Sequence, residues 1–198
     1  MGHSLIEFLG HSVSNGTLAP IASHVSKVLQ LKAPSTKKQV RSLMGLISYY
    51  RAFIPKFSSI TSPLTDLLRK GNPEKIIWTS ECEKSLQHIQ KILTEDPILI
   101  IPNLNDQLIV RTDASDYGIG AVLLQERHGV LIPCRFASRK LLPREKNYSA
   151  IEREALSIVF AVSQFYKFIG LKHFVLQNDH KPLLFLKKGR ARNSRLMR

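Results

Sequence analysis

Hydrophobic and polar positions follow several rhythms along the chain, and each rhythm predicts a different element. Leu5 to Val13 reads as a short strand broken at Gly10, closed by the turn dipeptide Asn15-Gly16, with a loop continuing through Pro20. From about Thr36 to Phe53 a helical stripe appears, formed by Val40, Leu43, Met44, Ile47, Tyr50 and Ile54, behind Ser35, a residue suited to cap the first turn. Ser62-Pro63 opens a short second helix through Leu64, Leu67 and Leu68 to Gly71. Ser80 with Glu83 makes a capping-box pattern for a third, with Leu86, Ile89 and Leu93 on its buried side. Residues 35–96 therefore predict a small helical unit, after an initial hairpin and linker over 1–34.

Beyond Asp96-Pro97 the period changes. Leu108 to Thr112, Ile119 to Gln125 and Val130 to Ala137 read as three strands joined by short turns, one of them at His128-Gly129. A helix from about Ser149 to Tyr166, a strand from His173 to Gln177 and a final helical start from Pro182 to Lys187 follow. The order is βββαβα, which places residues 97–198 in an α/β (α+β) class built on one mixed sheet.

Composition changes the picture mainly through charge. With 198 residues and 43% hydrophobic content the chain can bury the core of one or two domains. Its 29 Lys and Arg against 15 Asp and Glu leave a formal charge of +14, which favours a polyanionic partner. Phe8 to Thr65 holds no acid but carries Lys27, Lys32, Lys37, Lys38, Arg41, Arg51 and Lys56; the stretch from His180 to Arg198 is likewise acid-free and basic. Either run alone is a solvated face, whereas two of them flanking a region with acidic motifs predict a phosphate-contacting surface. Cys82 and Cys134 lie far apart with no metal-ligand spacing, so neither a disulfide framework nor a zinc site is indicated, and an intracellular setting, cytoplasmic or nuclear, is expected. No apolar run approaches the roughly 20 residues that span a bilayer, and Met1-Gly2-His3-Ser4-Leu5-Ile6 fits neither a signal peptide nor a myristoylation site. No membrane partner is expected, and the abrupt start reads as a piece of something longer.

One constellation could do chemistry. Asp113 ends the first strand of the meander, Glu154 sits early in the following helix, and Asp179 lies just past the fourth strand, so the fold would bring them to one edge of the sheet. Carboxylate oxygens are hard ligands suited to Mg²⁺ or Mn²⁺, and paired ions of that kind serve phosphodiester cleavage. Taken singly, each acid also has an ordinary reading: Asp113 capping a turn, Glu154 exposed on a helix, Asp179 opening the last helix. Spacing alone does not choose between Glu152 and Glu154.

Phe8-Leu9-Gly10-His11, Tyr49-Tyr50-Arg51-Ala52-Phe53-Ile54-Pro55, Pro63-Leu64-Thr65, Trp78-Thr79, Thr112-Asp113-Ala114-Ser115, Gly118 to Leu123 and Asp179-His180 occur in an order that resembles the reverse transcriptase and RNase H region of Gypsy-type LTR retrotransposons. The resemblance covers nearly the whole chain and implies the following. Phe8, Leu9, Gly10 and His11 resemble the primer grip at the end of the polymerase palm, and residues 35–70 resemble the thumb helices, with Lys37, Lys38, Arg41 and Arg51 at phosphates. Asp113, Glu154 and Asp179 match three acids of the RNase H metal site, Glu154 being preferred because Glu154-Ala155-Leu156-Ser157 fits the family's motif. Mg²⁺ or Mn²⁺ is the implied cofactor, an RNA–DNA hybrid or duplex nucleic acid the implied partner, and the rest of a Pol polyprotein the implied context. The polymerase aspartates would precede residue 1, and the family's fifth strand, last helix and fourth acid have no counterpart, so the RNase H-like domain reads as incomplete. Asn178 also departs from the family, which usually has Thr before the Asp. The resemblance implies a ribonuclease H-type endonuclease; the alternative is an inactive or domesticated module that binds nucleic acid or another protein.

Overall fold

The computed structural model describes residues 5–95, 97–170 and 172–179. The expected helix from Pro182 to Lys187, His180 and the basic stretch to Arg198 lie outside the described residues. Contacts divide the chain into one unit that closes at Ile101 and a second that opens at Pro102.

The first unit begins with a meander. β1 (Leu5–Phe8), β2 (His11–Ser14) and β3 (Thr17–Pro20) pair antiparallel in sequence order. Two-residue turns with consecutive left-handed residues join them: Leu9 and Gly10 at φ 44 and 72, Asn15 and Gly16 at φ 46 and 74. Such turns match the twist of the strands they connect, so the expected single strand and loop are in fact three short strands. β4 (Leu99–Ile100) then pairs with β3, Leu18 opposite Leu99 and Thr17 opposite Ile100. That pairing moves the expected boundary at 96/97 to the far side of Ile101.

The helices that follow fall in the same contact unit as this sheet. α1 (Ala22–Leu29) buries Val28 and lies on α5 (Ser80–Thr94), whose Gln90 Nε2 donates to the Val28 carbonyl at 3.1 Å. α1 has no side-chain cap and no acid in its first turn, so it carried no start signal in the sequence. α2 (Lys37–Tyr49) buries Val40, Leu43 and Ile47, and α5 buries Leu86, Ile89 and Leu93, as the periodicity predicts. Between them lie a 3-10 turn at Arg51–Phe53 and the short helices α3 (Phe57–Ile60) and α4 (Ser62–Asp66). The caps shift by one residue: Thr36 replaces Ser35, Thr61 replaces Ser62 and Thr79 replaces Ser80. Hydroxyl residues are adjacent in each pair, and Thr36 and Thr79 hold the extended backbone that a cap requires, with ψ of 155 and 164.

The Leu9-Gly10 turn is clamped by the end of α2. Tyr49 Oη donates to the Leu9 carbonyl, and Tyr50 Oη donates to the Gly10 carbonyl at 3.1 Å while accepting from His24 Nδ1 at 3.0 Å. Burial, together with neighbouring Tyr49, pushes the Tyr50 phenol up to about 12, so it stays a protonated donor. His11 stacks on Phe53 with ring centroids 5.6 Å apart.

The second unit is a four-stranded sheet of order β7-β6-β5-β8. β5 (Leu108–Ala114), β6 (Gly118–Arg127) and β7 (Val130–Lys140) form the expected antiparallel meander, with His128 and Gly129 left-handed in the second turn. α6 (Ala150–Ile169) crosses the sheet over β5 and β6 and delivers β8 (Phe174–Gln177) parallel to β5. Its Ser149 cap and Glu152 form a complete capping box. Val110, Ile119, Leu123, Phe165 and Ile169 make the core between sheet and helix. Arg139 grips Glu145 through two bonds, at 2.6 and 3.0 Å, which holds that carboxyl below its usual range and ties β7 to the turn preceding α6. The chain thus has the mixed α/β architecture predicted from its pattern.

Gly10 and Gly71 both have positive φ, yet a Cβ on Gly71 meets open space whereas one on Gly10 meets Tyr49 Oη at 3.0 Å and His24 Nδ1 at 3.1 Å. Gly71→Ala is expected to cost about 1–2 kcal/mol from backbone strain alone, and Gly10→Ala a further ~1–3 kcal/mol from overpacking. Denaturant titration followed by Trp78, the one tryptophan of the chain, reports on the first unit and would show equal losses if the clamp is unimportant.

Candidate functional site

The register of the two parallel strands determines where the acids fall. β5 and β8 pair Leu108 with Phe174 and Arg111 with Gln177. Two residues further along each chain stand Asp113, within β5, and Asp179, just past the end of β8. Both line an open depression of about 570 Å³, with Arg111, Thr112, Gln177 and Asn178 beside them. Asp113 is exposed within β5, and Asp179 is exposed just past β8.

The turn after Asp113 is held by Ser115, whose Oγ donates to the Gly118 carbonyl at 3.1 Å and accepts the Tyr117 and Gly118 amides. Arg111, two residues before Asp113, donates through Nε and Nη2 to Gln177 Oε1 at 3.1 and 2.9 Å, stitching β5 to β8.

Glu154 is buried rather than exposed, in the second turn of α6. Its Oε2 accepts from Asn178 Nδ2 at 2.9 Å, and the same nitrogen donates to Thr112 Oγ1 at 3.0 Å. Glu154 therefore connects by one side chain to the residues preceding both aspartates. It lines a neighbouring, smaller depression of about 230 Å³ with Ala114, Ser115, Asp116, Ala150 and Arg153. Arg153 closes that side through an ion pair with Asp116 at 2.7 Å. Glu152, the competitor for the same role, is engaged elsewhere: its Oε2 accepts from the Ser149 amide at 2.8 Å and the Ser149 hydroxyl at 2.9 Å.

Two of the three expected acids thus share a depression, and the third stands next to it. The donor types fit a hard divalent cation, all three being carboxylates. Among the described residues, however, no group of three or more His, Cys, Asp or Glu side chains is gathered tightly enough to hold a metal ion. Asn178 is the residue that sequence reasoning noted without giving it a role; an amide where the family usually has a hydroxyl was its only signal.

In the first unit the basic and primer-grip-like residues separate into two groups. Phe8 and Leu9 are exposed, at 63% and 72%, as are Lys38, Arg41 and Arg51, while the Arg51 guanidinium lies 5.8 Å from the Phe57 ring centroid. Gly10 and His11 are half-buried under the tyrosine clamp, and His11 Nδ1 donates to the Leu9 carbonyl at 2.9 Å. Lys37 departs from the expectation of a phosphate contact. It is 7% exposed, and its ammonium donates to the carbonyls of Arg69 at 3.1 Å and Asn72 at 2.6 Å. It holds the 69–72 loop against α2. Among the described residues no helix is long and apolar enough to cross a membrane.

Comparison with known proteins gives a consistent family. The family model described as "RNase H-like domain found in reverse transcriptase" matches residues 78–176. The chain is 36% identical over 182 residues to the retrovirus-related Pol polyprotein from transposon 297 of Drosophila melanogaster, covering 90% of the chain and 16% of that protein. It is 30% identical over 200 residues to the transposon Tf2-3 polyprotein of Schizosaccharomyces pombe, covering 98% of the chain and 15% of that protein. The chain therefore spans about a sixth of the length of these relatives. Among solved structures, the foamy viral protease-reverse transcriptase dRH in complex with double-stranded DNA superposes with TM-score 0.81 at 23% identity, over 93% of this chain and 32% of that one. The foamy viral protease-reverse transcriptase in complex with RNA/DNA hybrid gives 0.80 at 22% identity, over 98% and 27%.

Lys37→Met keeps most of the stem but removes the donor of two part-buried hydrogen bonds, to the Arg69 and Asn72 carbonyls. It is expected to lower the stability of the first unit by about 1–3 kcal/mol, whereas Lys38→Met, at an exposed position, should stay within about 0.5 kcal/mol of the parent. Thermal melts of both variants would reverse in order if Lys37 were a surface contact.

Proposed function

The chain belongs to the RNase H-like domains found in reverse transcriptase, and from that premise we propose that it binds an RNA–DNA hybrid or duplex nucleic acid and cleaves the RNA strand at Asp113, Glu154 and Asp179. The observation that carries this reading is the pairing of β5 with β8, which sets Asp113 and Asp179 into one open depression with Glu154 one hydrogen-bonded residue away. The relatives are Pol polyproteins, and the solved neighbours are reverse transcriptases in complex with double-stranded DNA or RNA/DNA hybrid, which supports the substrate class.

Asp113 and Asp179 would hold Mg²⁺ or Mn²⁺, with Glu154 completing the set from α6. When bound, the cation supplies Lewis acidity toward the phosphodiester and makes water a stronger nucleophile at neutral pH. The protein's own part is to place the carboxylates where that charge is needed. Exposed Asp113 and Asp179 would be open to an ion from solvent, while buried Glu154 is tethered by its amide partner. Phosphate contacts position the duplex without reading its sequence. Lys38, Arg41 and Arg51 on the first unit are suited to that task, and Phe8 and Leu9 add exposed apolar surface on the same unit.

A second reading, a nucleic-acid-binding module without turnover, is favoured by one observation: no three acids are gathered into a metal-holding group among the described residues. Cleavage of a labelled hybrid with Mn²⁺ separates the two, since a binder retains the hybrid intact.

For the metal site, a cation at tenfold its Kd should stabilise the protein by roughly 1.4 kcal/mol through mass action. Asp113→Asn should abolish that gain, while Glu152→Gln should lower the metal-free melting temperature by loosening the cap of α6 yet keep the gain. Melting curves with and without Mn²⁺ check this, and a gain that survives Asp113→Asn but is lost in Glu152→Gln sinks the site. For the duplex surface, affinity should fall with salt as neutralised phosphates release counterions. Replacing Lys38 and Arg41 with Ala should reduce the slope of log affinity against log salt by about 1 for each phosphate that is no longer neutralised. An unchanged slope would show that α2 does not face the nucleic acid.

A further inference from the structure

We propose that Asn178 is a positioning residue that fixes the Glu154 carboxylate against the β5–β8 pair, leaving Oε1 of Glu154 turned to a divalent cation. The inference rests on the reading of Asp113, Glu154 and Asp179 as the metal site and concerns how that site is assembled.

The three acids come from different supports. Asp113 stands in β5 and Asp179 just past β8, whereas Glu154 stands on the crossover helix, whose rotation about its own axis would carry the carboxylate away from the sheet. A glutamate has three rotatable side-chain bonds, so it needs a tether to keep one orientation. Asn178 provides one. Because a carboxylate can only accept, the atom facing Oε2 at 2.9 Å must be the amide nitrogen, which removes the usual uncertainty over how an asparagine is turned. The nitrogen carries two protons, and its second partner is Thr112 Oγ1 at 3.0 Å. Thr112 lies in β5 and Asn178 follows β8, at the rung directly before the aspartates. One NH₂ group thus joins α6, β5 and the residue that follows β8.

A threonine hydroxyl has a single proton and sits one bond closer to the backbone, so Thr at this position could donate to Glu154 or to Thr112 but not to both. Among the described residues no hydrogen bond reaches Glu154 Oε1, and Glu154 lines the depression beside Ala114 and Ser115. The amide therefore engages one oxygen and leaves the other for a hard cation. Partners that orient a ligand in this way typically contribute 10–100-fold to metal affinity.

The test is calorimetric titration of Mn²⁺ into the full chain and into Asn178→Leu, Asn178→Thr and Asp113→Asn, with far-UV circular dichroism confirming the fold of each. Asn178→Leu, similar in size but without donors, should weaken Mn²⁺ binding by about 10–100-fold. Asn178→Thr should fall between Leu and the parent, and Asp113→Asn should abolish binding. If Asn178→Leu fails to fold, Asn178→Thr decides: parental affinity in that variant overturns the proposal. Parental affinity in Asn178→Leu with loss in Asp113→Asn would overturn the positioning role and leave the metal site standing. No uptake of Mn²⁺ by the parent chain would overturn both.

Discussion

The parallel pairing of β8 with β5 is the constraint on which the candidate site depends. A parallel neighbour cannot be reached by a tight turn, so the chain must cross the sheet, and here the crossing is made by α6. One topological requirement therefore does two things. It places Asp113 and Asp179 at matched positions on adjacent strands, and it lays a helix over those same strands with Glu154 near its start. A slip of one residue in that register would break the match between Asp113 and Asp179. Arg111 bonding Gln177 and Asn178 bonding Thr112 are side-chain contacts between β5 and the end of β8 that hold the register.

Helix geometry explains why Glu152 and Glu154 have different roles. Two residues on an α-helix are separated by about 200° of rotation, so the pair cannot face the same neighbour. Glu152 folds back over the first turn to the Ser149 amide and hydroxyl, while Glu154 turns toward Asn178. The bonds in which each carboxylate takes part, rather than its burial, distinguish them, since both are buried to a similar degree.

Much of this was legible in the sequence because its signals were local. The alternating strands from Leu108 to Ala137, the helical stripe from Val40 to Ile47 and the Leu86, Ile89 and Leu93 face all fall where the pattern put them. What escaped was decided by partners distant in the chain. β4 is two residues long and exists only because β3 pairs with it, and α1 lacks the polar start that marks a helix. Lys37 looked like part of a basic surface because its charge is visible in sequence, whereas the Arg69 and Asn72 carbonyls that receive it are backbone and leave no trace there. The expected acids were chosen by residue type, order and, for Glu154, resemblance to a family motif, but the amide that bridges Glu154 and Thr112 is a property of the folded register.

The second unit begins with an unusual rung. Gln125, completely buried in β6, accepts the Asn103 amide at 2.9 Å through Oε1 and donates to the Asn103 carbonyl at 2.8 Å through Nε2, so a side chain takes the place of a strand backbone. Asn103 precedes the first residue of β5 by five positions. Tension carried along the chain from residue 101 would load this rung before it reached β5.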